Sequence, residues 1–248
     1  MHPEWTSNSY LVADESGGRG VLIDSGGPAE PLLEAIERHD VTVEHLLLTH
    51  HHHDHVAENA TYQERLGVEI LAHPLEAERL LDVDRTLEPG ETLSVGGLEI
   101  DPLHTPGHTA GMLSFHVSGR EVFTGDTLFR GSVGGVRASG SSGFEDLRRS
   151  VMDVLLALPP QTTVRPGHTD PTTVREEWED NPFVRVWRGI DAEGEARCRV
   201  GEEEATLVVF ARDYDGGKKA WVRWVDGGRD DIVPGSQVQE EEGEASET

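Results

Sequence analysis

The chain has 248 residues, enough for one large domain and a small second unit. Asp and Glu number 47 against 21 Lys and Arg, for a formal net charge of −26, which repels phosphate backbones and disfavours a nucleic-acid substrate. No apolar run reaches the roughly 18 residues of a membrane span, and residues 1–4 lack the start of a signal peptide, so neither a membrane nor nucleic acid is expected as a partner.

A single cysteine and two lysines bear on the cellular setting. Cys198 excludes an internal disulfide and is typical of a reducing cytoplasm. It lies between two arginines in a predicted strand, so we expect it to be structural rather than reactive. Lys218 and Lys219 are the only lysines, and the acidic excess runs through the whole chain. We therefore favour adaptation to high intracellular salt over an ordinary solubilising surface.

The first third of the chain predicts alternating strands and helices. Strands are predicted over residues 9–13 and 20–24, and a helix carries Leu32, Leu33 and Ile36 on its apolar face. Three further elements follow in order: a buried strand over 43–49, a helix over 57–66 and a strand over 68–72.

The middle of the chain is richer in strands. Short apolar runs predict strands over residues 91–95, 98–103, 112–117 and 121–124. A glycine- and serine-rich loop follows over 131–143. Next comes an amphipathic helix that begins near Phe144 and is stopped by Pro159–Pro160, with these apolar residues on one face: Leu147, Val151, Val154, Leu155 and Leu158. A last strand is predicted over 163–165. This order predicts an α/β protein in which two sheets pack face to face with helices outside.

A change of composition after Trp187 predicts a second unit. Strands are predicted over 196–200, 206–214 and 220–226, with glycine pairs as turns, and they resemble a small SH3-like β-barrel. The predicted division is a catalytic domain over 1–187, a β-rich domain over 188–236 and a disordered acidic tail over 237–248. The β-rich domain is either a binding module or a cap that covers core or extends a homodimer interface.

A histidine-rich segment follows the third predicted strand. At a strand end, residues two apart point the same way, so His50 and His52 can hold one metal ion together. The chain must then turn, and Asp54 and His55 offer an oxygen and a nitrogen to a second ion. Imidazole and carboxylate together suit Zn²⁺, Fe or Mn²⁺. Two histidines alternate to the other side and are predicted not to bind metal: His51 and His53.

Three further side chains complete the candidate set. His108, Asp126 and His168 are each preceded by glycine and follow a predicted strand. Glycine lets the backbone turn sharply and approach a neighbour closely, and functional groups gather in loops at sheet ends. Seven ligands are too many for one tetrahedral ion, so we expect two divalent ions per chain, Zn²⁺ first, with Fe or Mn²⁺ open.

This pattern resembles the metallo-β-lactamase superfamily, whose signature is His-x-His-x-Asp-His followed by His, Asp and His. The resemblance spans residues 8–183 and implies an αββα sandwich. It also implies that His50, His52 and His108 bind the first metal, that Asp54, His55 and His168 bind the second, and that Asp126 bridges the two. The resemblance also implies that Asp24 contacts and orients the ligands without binding metal itself. The alternative is that Asp24 only forms a turn.

Within the superfamily, residues 125–134, 171–173 and 181–183 resemble the glyoxalase II group, which hydrolyses thioesters of 2-hydroxy acids such as S-lactoylglutathione. The chain departs from the group at 135–137 and lacks the helical C-terminal domain of its longer members, so the thiol stays open. The resemblance implies attack by a metal-activated hydroxide, with Asp126 holding the metals and Asp54 orienting the hydroxide. The alternatives are a persulfide dioxygenase with one iron on His50, His108 and Asp126, a lactonase, a β-lactamase or a nuclease.

Overall fold

The structure, a computed structural model, describes residues 7–240. Its first part alternates strands and helices around a five-stranded sheet. The elements are β1 (Tyr10–Ala13), β2 (Arg19–Ile23), α1 (Glu30–His39), β3 (Thr42–Leu47), α2 (His53–Val56), α3 (Asn59–Leu66), β4 (Glu69–Ala72), α4 (Pro74–Ala77) and β5 (Arg85–Thr86). The strand order is β1-β2-β3-β4-β5, with β1 antiparallel to β2 and the other pairs parallel.

The second part forms a six-stranded sheet and the helices that cover it. Its elements are β6 (Leu93–Val95), β7 (Leu98–His104), β8 (Leu113–Val117), β9 (Glu121–Gly125), β10 (Leu128–Phe129), β11 (Ser132–Val133), α5 (Phe144–Arg149), β12 (Thr163–Pro166), β13 (Thr172–Thr173), α6 (Val174–Asp180) and α7 (Pro182–Trp187). The strand order is β13-β12-β9-β8-β7-β6, and β10 and β11 form a separate ribbon. A π-helical segment, Ser150–Leu155, continues α5.

Two apolar layers hold the sheets and helices together. Side chains such as Ile23, Leu47 and Phe115 fill the space between the two sheets. On the outer face of the first sheet, Leu46 packs with Leu33 of α1. Helices thus cover the outer faces of two packed sheets, which confirms the predicted αββα sandwich.

A third sheet follows the catalytic domain. It is built from β14 (Ala196–Val200), β15 (Glu203–Arg212), β16 (Lys218–Trp224), β17 (Asp230–Pro234) and β18 (Val238–Glu240). All its pairs are antiparallel, in the order β17-β16-β15-β14-β18. The predicted β-rich region is therefore present, and we call it the C-terminal sheet.

The C-terminal sheet shares a core with the catalytic domain. Val209, Trp221 and Ile232 of this sheet belong to the same buried cluster as Phe144 of α5 and Phe183 of α7. Burial of large apolar side chains on both sides stabilises the contact by a few kcal/mol per side chain, so the sheet is not loosely tethered.

The structure corrects three predictions. Disorder from residue 237 is wrong up to residue 240, because β18 completes the C-terminal sheet by pairing with β14; residues 241–248 lie outside the described residues. The third strand ends at Leu47 rather than at residue 49. The helices α6 and α7 are absent from the prediction. Within residues 7–240, no helix is long and apolar enough to cross a membrane.

Candidate metal centre

The metal centre lies where the chain leaves β3. His50 and His52 lie in the loop after this strand, and Asp54 and His55 lie on the short helix α2. Thr49 anchors the loop, because its backbone N–H and its hydroxyl both donate to Asp24, at 2.7 and 2.8 Å. The two predicted pairs of ligands therefore come from one rigid turn of the chain.

His50, His52 and His108 form one group. Each offers a ring nitrogen, and the three nitrogens lie within 4.8 Å of one another. The other ring nitrogen of each is held from outside: Nδ1 of His50 by the Thr49 hydroxyl at 3.0 Å, Nε2 of His52 by the Ser139 carbonyl at 3.0 Å, and Nδ1 of His108 by the Gly135 carbonyl at 2.8 Å. Outer contacts of this kind orient ligand histidines and select the tautomer.

The fit of this group to a cation follows from the facing nitrogens. A carbonyl only accepts hydrogen bonds, so Nε2 of His52 and Nδ1 of His108 must carry the protons that they donate. In the neutral rings the remaining nitrogens are then lone-pair acceptors, and they face each other at 2.9 Å. Nε2 of His50 is buried beside them without a hydrogen-bond partner. Lone pairs that converge in this way fit a shared cation, and a divalent metal suits three imidazole ligands.

Asp54, His55 and His168 form a second group with atoms within 4.8 Å of one another. Nε2 of His168 lies 3.5 Å from the Asp54 carboxylate, and Nε2 of His55 lies 3.6 Å from it. Nδ1 of His55 contacts Asp24 at 2.8 Å. Nε2 of His55 has no hydrogen-bond partner and is the atom directed into the group.

Asp126 lies between the two groups. Its carboxylate is 3.3 Å from Nε2 of His55, 3.4 Å from Nε2 of His168 and 3.6 Å from Nε2 of His108. It therefore reaches a histidine of the first group and two of the second. All seven predicted ligands come together at one place.

Glycines let the backbone pack directly against Asp126. A Cβ on Gly167 would lie 2.4 Å from an oxygen of Asp126, and a Cβ on Gly134 would lie 2.0 Å from its carbonyl. Gly125, just before Asp126, has a φ of +45°, which favours glycine. The glycines before the predicted ligands are thus sites of close approach, as their positions in the sequence suggest.

Burial and charge set the protonation of the centre without a metal. Burial opposes the charged form of Asp126, but His168 and His55 outweigh it and hold the pKa of the carboxyl well below its usual range. Burial lowers the pKa of His108 to about 4. Burial also opposes charge on His55, but Asp126 and Asp24 raise the pKa of this ring well above its usual value. A neutral His108 and an ionised Asp126 are the forms that bind metal.

Several residues that are not ligands surround the centre, and some of them have predicted roles. Asp24 supports the site, since it accepts from Thr49 and contacts His55. His51 lies outside the two ligand groups, and its backbone N–H donates to Glu76 at 3.0 Å. His53 also lies outside them. No motif in the sequence marks Glu76, which accepts from Gly111 as well, at 2.9 Å.

The C-terminal sheet also reaches the centre. The ring of Tyr214, just after β15, stacks on the ring of His168 with centroids 4.2 Å apart and planes 11° apart. The same ring contacts Phe129 edge to face at 5.1 Å. The sequence carries no signal for this contact, because 46 positions separate the two stacked residues and no motif surrounds Tyr214.

Comparison with protein families and curated relatives places these motifs in context. A family model described as the metallo-beta-lactamase superfamily matches residues 2–178. A hydroxyacylglutathione hydrolase of Rhizobium meliloti is 36% identical over 240 residues, covering 81% of this chain and 90% of that protein. The hydroxyacylglutathione hydrolase GloC of Haemophilus influenzae is 35% identical over 198 residues, covering 71% and 92%. An uncharacterized protein of Aquifex aeolicus is 36% identical over 195 residues, covering 71% and 91%.

Solved structures share the fold. The B3 metallo-beta-lactamase BLEG-1 superposes with a TM-score of 0.69 at 28% identity, covering 74% of this chain and 96% of that one. TTHA1623 in a di-iron-bound form gives 0.64 at 35% identity, with 74% and 98% covered. ETHE1 from Myxococcus xanthus gives 0.64 at 27% identity, with 77% and 89% covered.

Proposed function

The chain belongs to the metallo-beta-lactamase superfamily, and from this premise we propose that it hydrolyses 2-hydroxyacyl thioesters at a centre of two divalent metal ions. The observation that carries the proposal is the double set of ligands around Asp126, in a chain whose relatives include proteins named hydroxyacylglutathione hydrolases. A centre for one ion would need only part of this set.

The ligands divide between the two ions as the geometry groups them. We assign His50, His52 and His108 to the first ion and the following three to the second: Asp54, His55 and His168. Asp126, whose carboxylate lies within 3.6 Å of histidines in both groups, would help to hold both ions. Zn²⁺ suits this set of imidazoles and carboxylates best, and iron is the main alternative because a 35% identical structure has a di-iron form.

The chain's own side chains support hydrolysis in distinct ways. When bound, a pair of divalent cations supplies an acidified water and a Lewis acid for the carbonyl. The Asp54 side chain keeps 29% of its surface exposed, so it can accept a hydrogen bond from the attacking water and orient it. Asp24 fixes the ring of His55 and Asp126 spans the two groups. The water loses a proton as its oxygen bonds to the acyl carbon, the carbon–sulfur bond breaks, and the sulfur leaves as a thiolate that takes up a proton in exchange.

We propose a small-molecule partner in the cytoplasm. The −26 net charge disfavours polyanions such as RNA, and a single buried cysteine, Cys198, suits a reducing compartment. The proposal also includes association into a homodimer, which a measurement of the molecular mass in solution would test.

A substrate panel tests the proposal. Purified protein loaded with Zn²⁺, Fe²⁺ or Mn²⁺ is offered lactoyl thioesters of several low-molecular-weight thiols, a chromogenic β-lactam, a lactone and a short RNA. We expect kcat/KM to be highest for a lactoyl thioester. Absence of thioester hydrolysis with every metal, together with oxygen uptake on a persulfide, would replace the proposal with the dioxygenase; turnover of the β-lactam, lactone or RNA alone would replace it with that hydrolase.

A further inference from the structure

The turn between β15 and β16 is part of the metal centre's wall. Tyr214 lies in this turn, and its ring stacks on His168 at 4.2 Å and contacts Phe129 at 5.1 Å. His168 is 1% exposed, so the tyrosine contributes to closing the side of the centre that Asp54 and His168 share. Tyr214 lies beyond residue 178, where the match to the family ends.

Buried polar contacts hold this turn in place. Lys219, at the start of β16, pairs with Asp213 at 3.1 Å, and both side chains are less than 10% exposed. Lys219 also donates to the carbonyl of Val133 at 2.9 Å, and Ser132 donates to Asp213 at 2.9 Å. Ser132 and Val133 form β11, in the segment that follows Asp126. A buried pair with its hydrogen bonds satisfied fixes geometry, so Tyr214 has a defined position over the centre.

The hydroxyl of Tyr214 is an available donor. The Tyr214 ring contacts His168, Phe129 and the ammonium of Lys219. A phenol hydroxyl carries its proton near neutral pH and can donate a hydrogen bond. The stack on His168, with ring planes 11° apart, places the Tyr214 side chain beside a ligand that lies 3.5 Å from Asp54 and 3.4 Å from Asp126.

We propose that the C-terminal sheet completes the substrate pocket and that the Tyr214 hydroxyl donates a hydrogen bond to the oxygen on the carbon next to the thioester carbonyl. This inference rests on the proposed thioester hydrolysis. The reacting carbonyl must lie beside Asp54 and Asp126, so a substituent one bond away lies within reach of the ring that covers His168. Tyr214 is then the residue that selects 2-hydroxyacyl groups over simple acyl groups.

Tyr214→Phe tests this role because it removes the hydroxyl and keeps the ring on His168. The measurement is kcat/KM for a lactoyl and a propionyl thioester of the same thiol, which differ only in the 2-hydroxyl group. We expect a loss of about 5- to 10-fold for the lactoyl thioester, the size of one neutral hydrogen bond, and less than about 2-fold for the propionyl thioester. Metal content and melting temperature should not change.

Tyr62→Phe is the matched control. Its hydroxyl is buried without a hydrogen-bond partner in the core between α3 and the first sheet, so this variant should keep the wild-type ratio for the two substrates. Equal losses for both substrates in Tyr214→Phe, no loss at all, or loss of metal would overturn the inference and leave thioester hydrolysis in place. A wild-type protein that hydrolyses neither thioester would overturn the proposed function and this inference with it.

Discussion

The two ligand groups share Asp126 but differ in what holds their histidines. In the first group the outer ring nitrogens contact neutral oxygens, from Thr49, Gly135 and Ser139. In the second group the outer nitrogen of His55 contacts the Asp24 carboxylate, and His168 lies under an aromatic ring from the C-terminal sheet. The first site thus depends on the loop over residues 131–143, and the second depends on a buried charge and on a separate sheet.

The largest effect should come from the residue that the groups share. Asp126→Ala removes the carboxylate within 3.6 Å of histidines in both groups, so both ions should bind weakly. Two-metal catalysis supplies several kcal/mol of transition-state stabilisation, and we expect hydrolysis to fall about 1,000-fold or more. Elemental analysis and kcat/KM provide the measurement.

His51→Ala is the control for this variant, because His51 lies outside the ligand groups and contacts Glu76 instead. It should keep most of the activity and metal. Equal losses in both variants would mean that the ligands of the histidine-rich segment are wrongly assigned.

The dependence of the second group on the C-terminal sheet can be tested through Lys219. Lys219→Met leaves the buried Asp213 carboxylate without its cation, and breaking a buried pair costs about 3 kcal/mol or more. Its neighbour Lys218 is exposed and its ammonium lies over the Phe210 ring at 4.3 Å, so Lys218→Met should change the free energy of unfolding by about 1 kcal/mol or less. Urea unfolding compares the two, and equal stabilities would contradict a fixed turn at Tyr214.

Asp24→Asn should weaken metal binding more in the second ligand group than in the first. The amide cannot supply the negative charge that Asp24 places 2.8 Å from His55, and loss of such an outer contact costs about 10- to 100-fold in metal affinity. The loss should be larger for the second metal equivalent than for the first in a competition titration with a chelator, because Asp24 reaches the first group only through Thr49.

Asp40→Asn offers a matched control. Both aspartates have left-handed backbones, with φ of 55° and 52°, but Asp40 caps α1 on the surface, so its variant should bind both equivalents like the wild type. If Asp24→Asn weakened both equivalents to the same degree, the proposed difference between the groups would be lost.

The smallest effect concerns the whole surface rather than either group. With a net charge of −26, added salt should screen self-repulsion and stabilise the fold. We expect about 1 kcal/mol between low and molar potassium chloride, which raises the melting temperature by roughly 2–4 °C for a chain of this size. A sucrose series controls for osmotic effects, and a flat or falling melting temperature in potassium chloride would argue against adaptation to salt.

The sequence predicts the sandwich well because its patterns are local. Alternating apolar residues indicate most strands, and Ala196–Val200 matches the predicted range. The helix after Phe144 is also predicted, but Leu147, Val151 and Leu155 recur every four positions, more widely than the 3.6 residues of an α-helix turn. Such spacing is ordinary on one face of an α-helix, so it does not mark the π-helical turn that the structure shows over Ser150–Leu155.

Elements that depend on distant partners escape prediction. The helix α7 contains β-branched and aromatic residues that also suit a strand, and Asn181, which caps its first turn, is held by donating to the distant carbonyl of Ser132 at 3.1 Å. The strand β18 runs into the acidic stretch that begins at residue 240, and it is ordered by its ladder with β14. For the same reason the seven ligands are predictable from motifs, whereas Tyr214 is not.

The most direct test of the two-metal account is a metal titration of the stripped protein with lactoyl thioester hydrolysis followed at each point. The account predicts tight binding of two equivalents per chain and a rate that keeps rising until the second equivalent is bound. Binding that ends at one equivalent of iron, with no hydrolysis and with oxygen consumed on a persulfide, would contradict it.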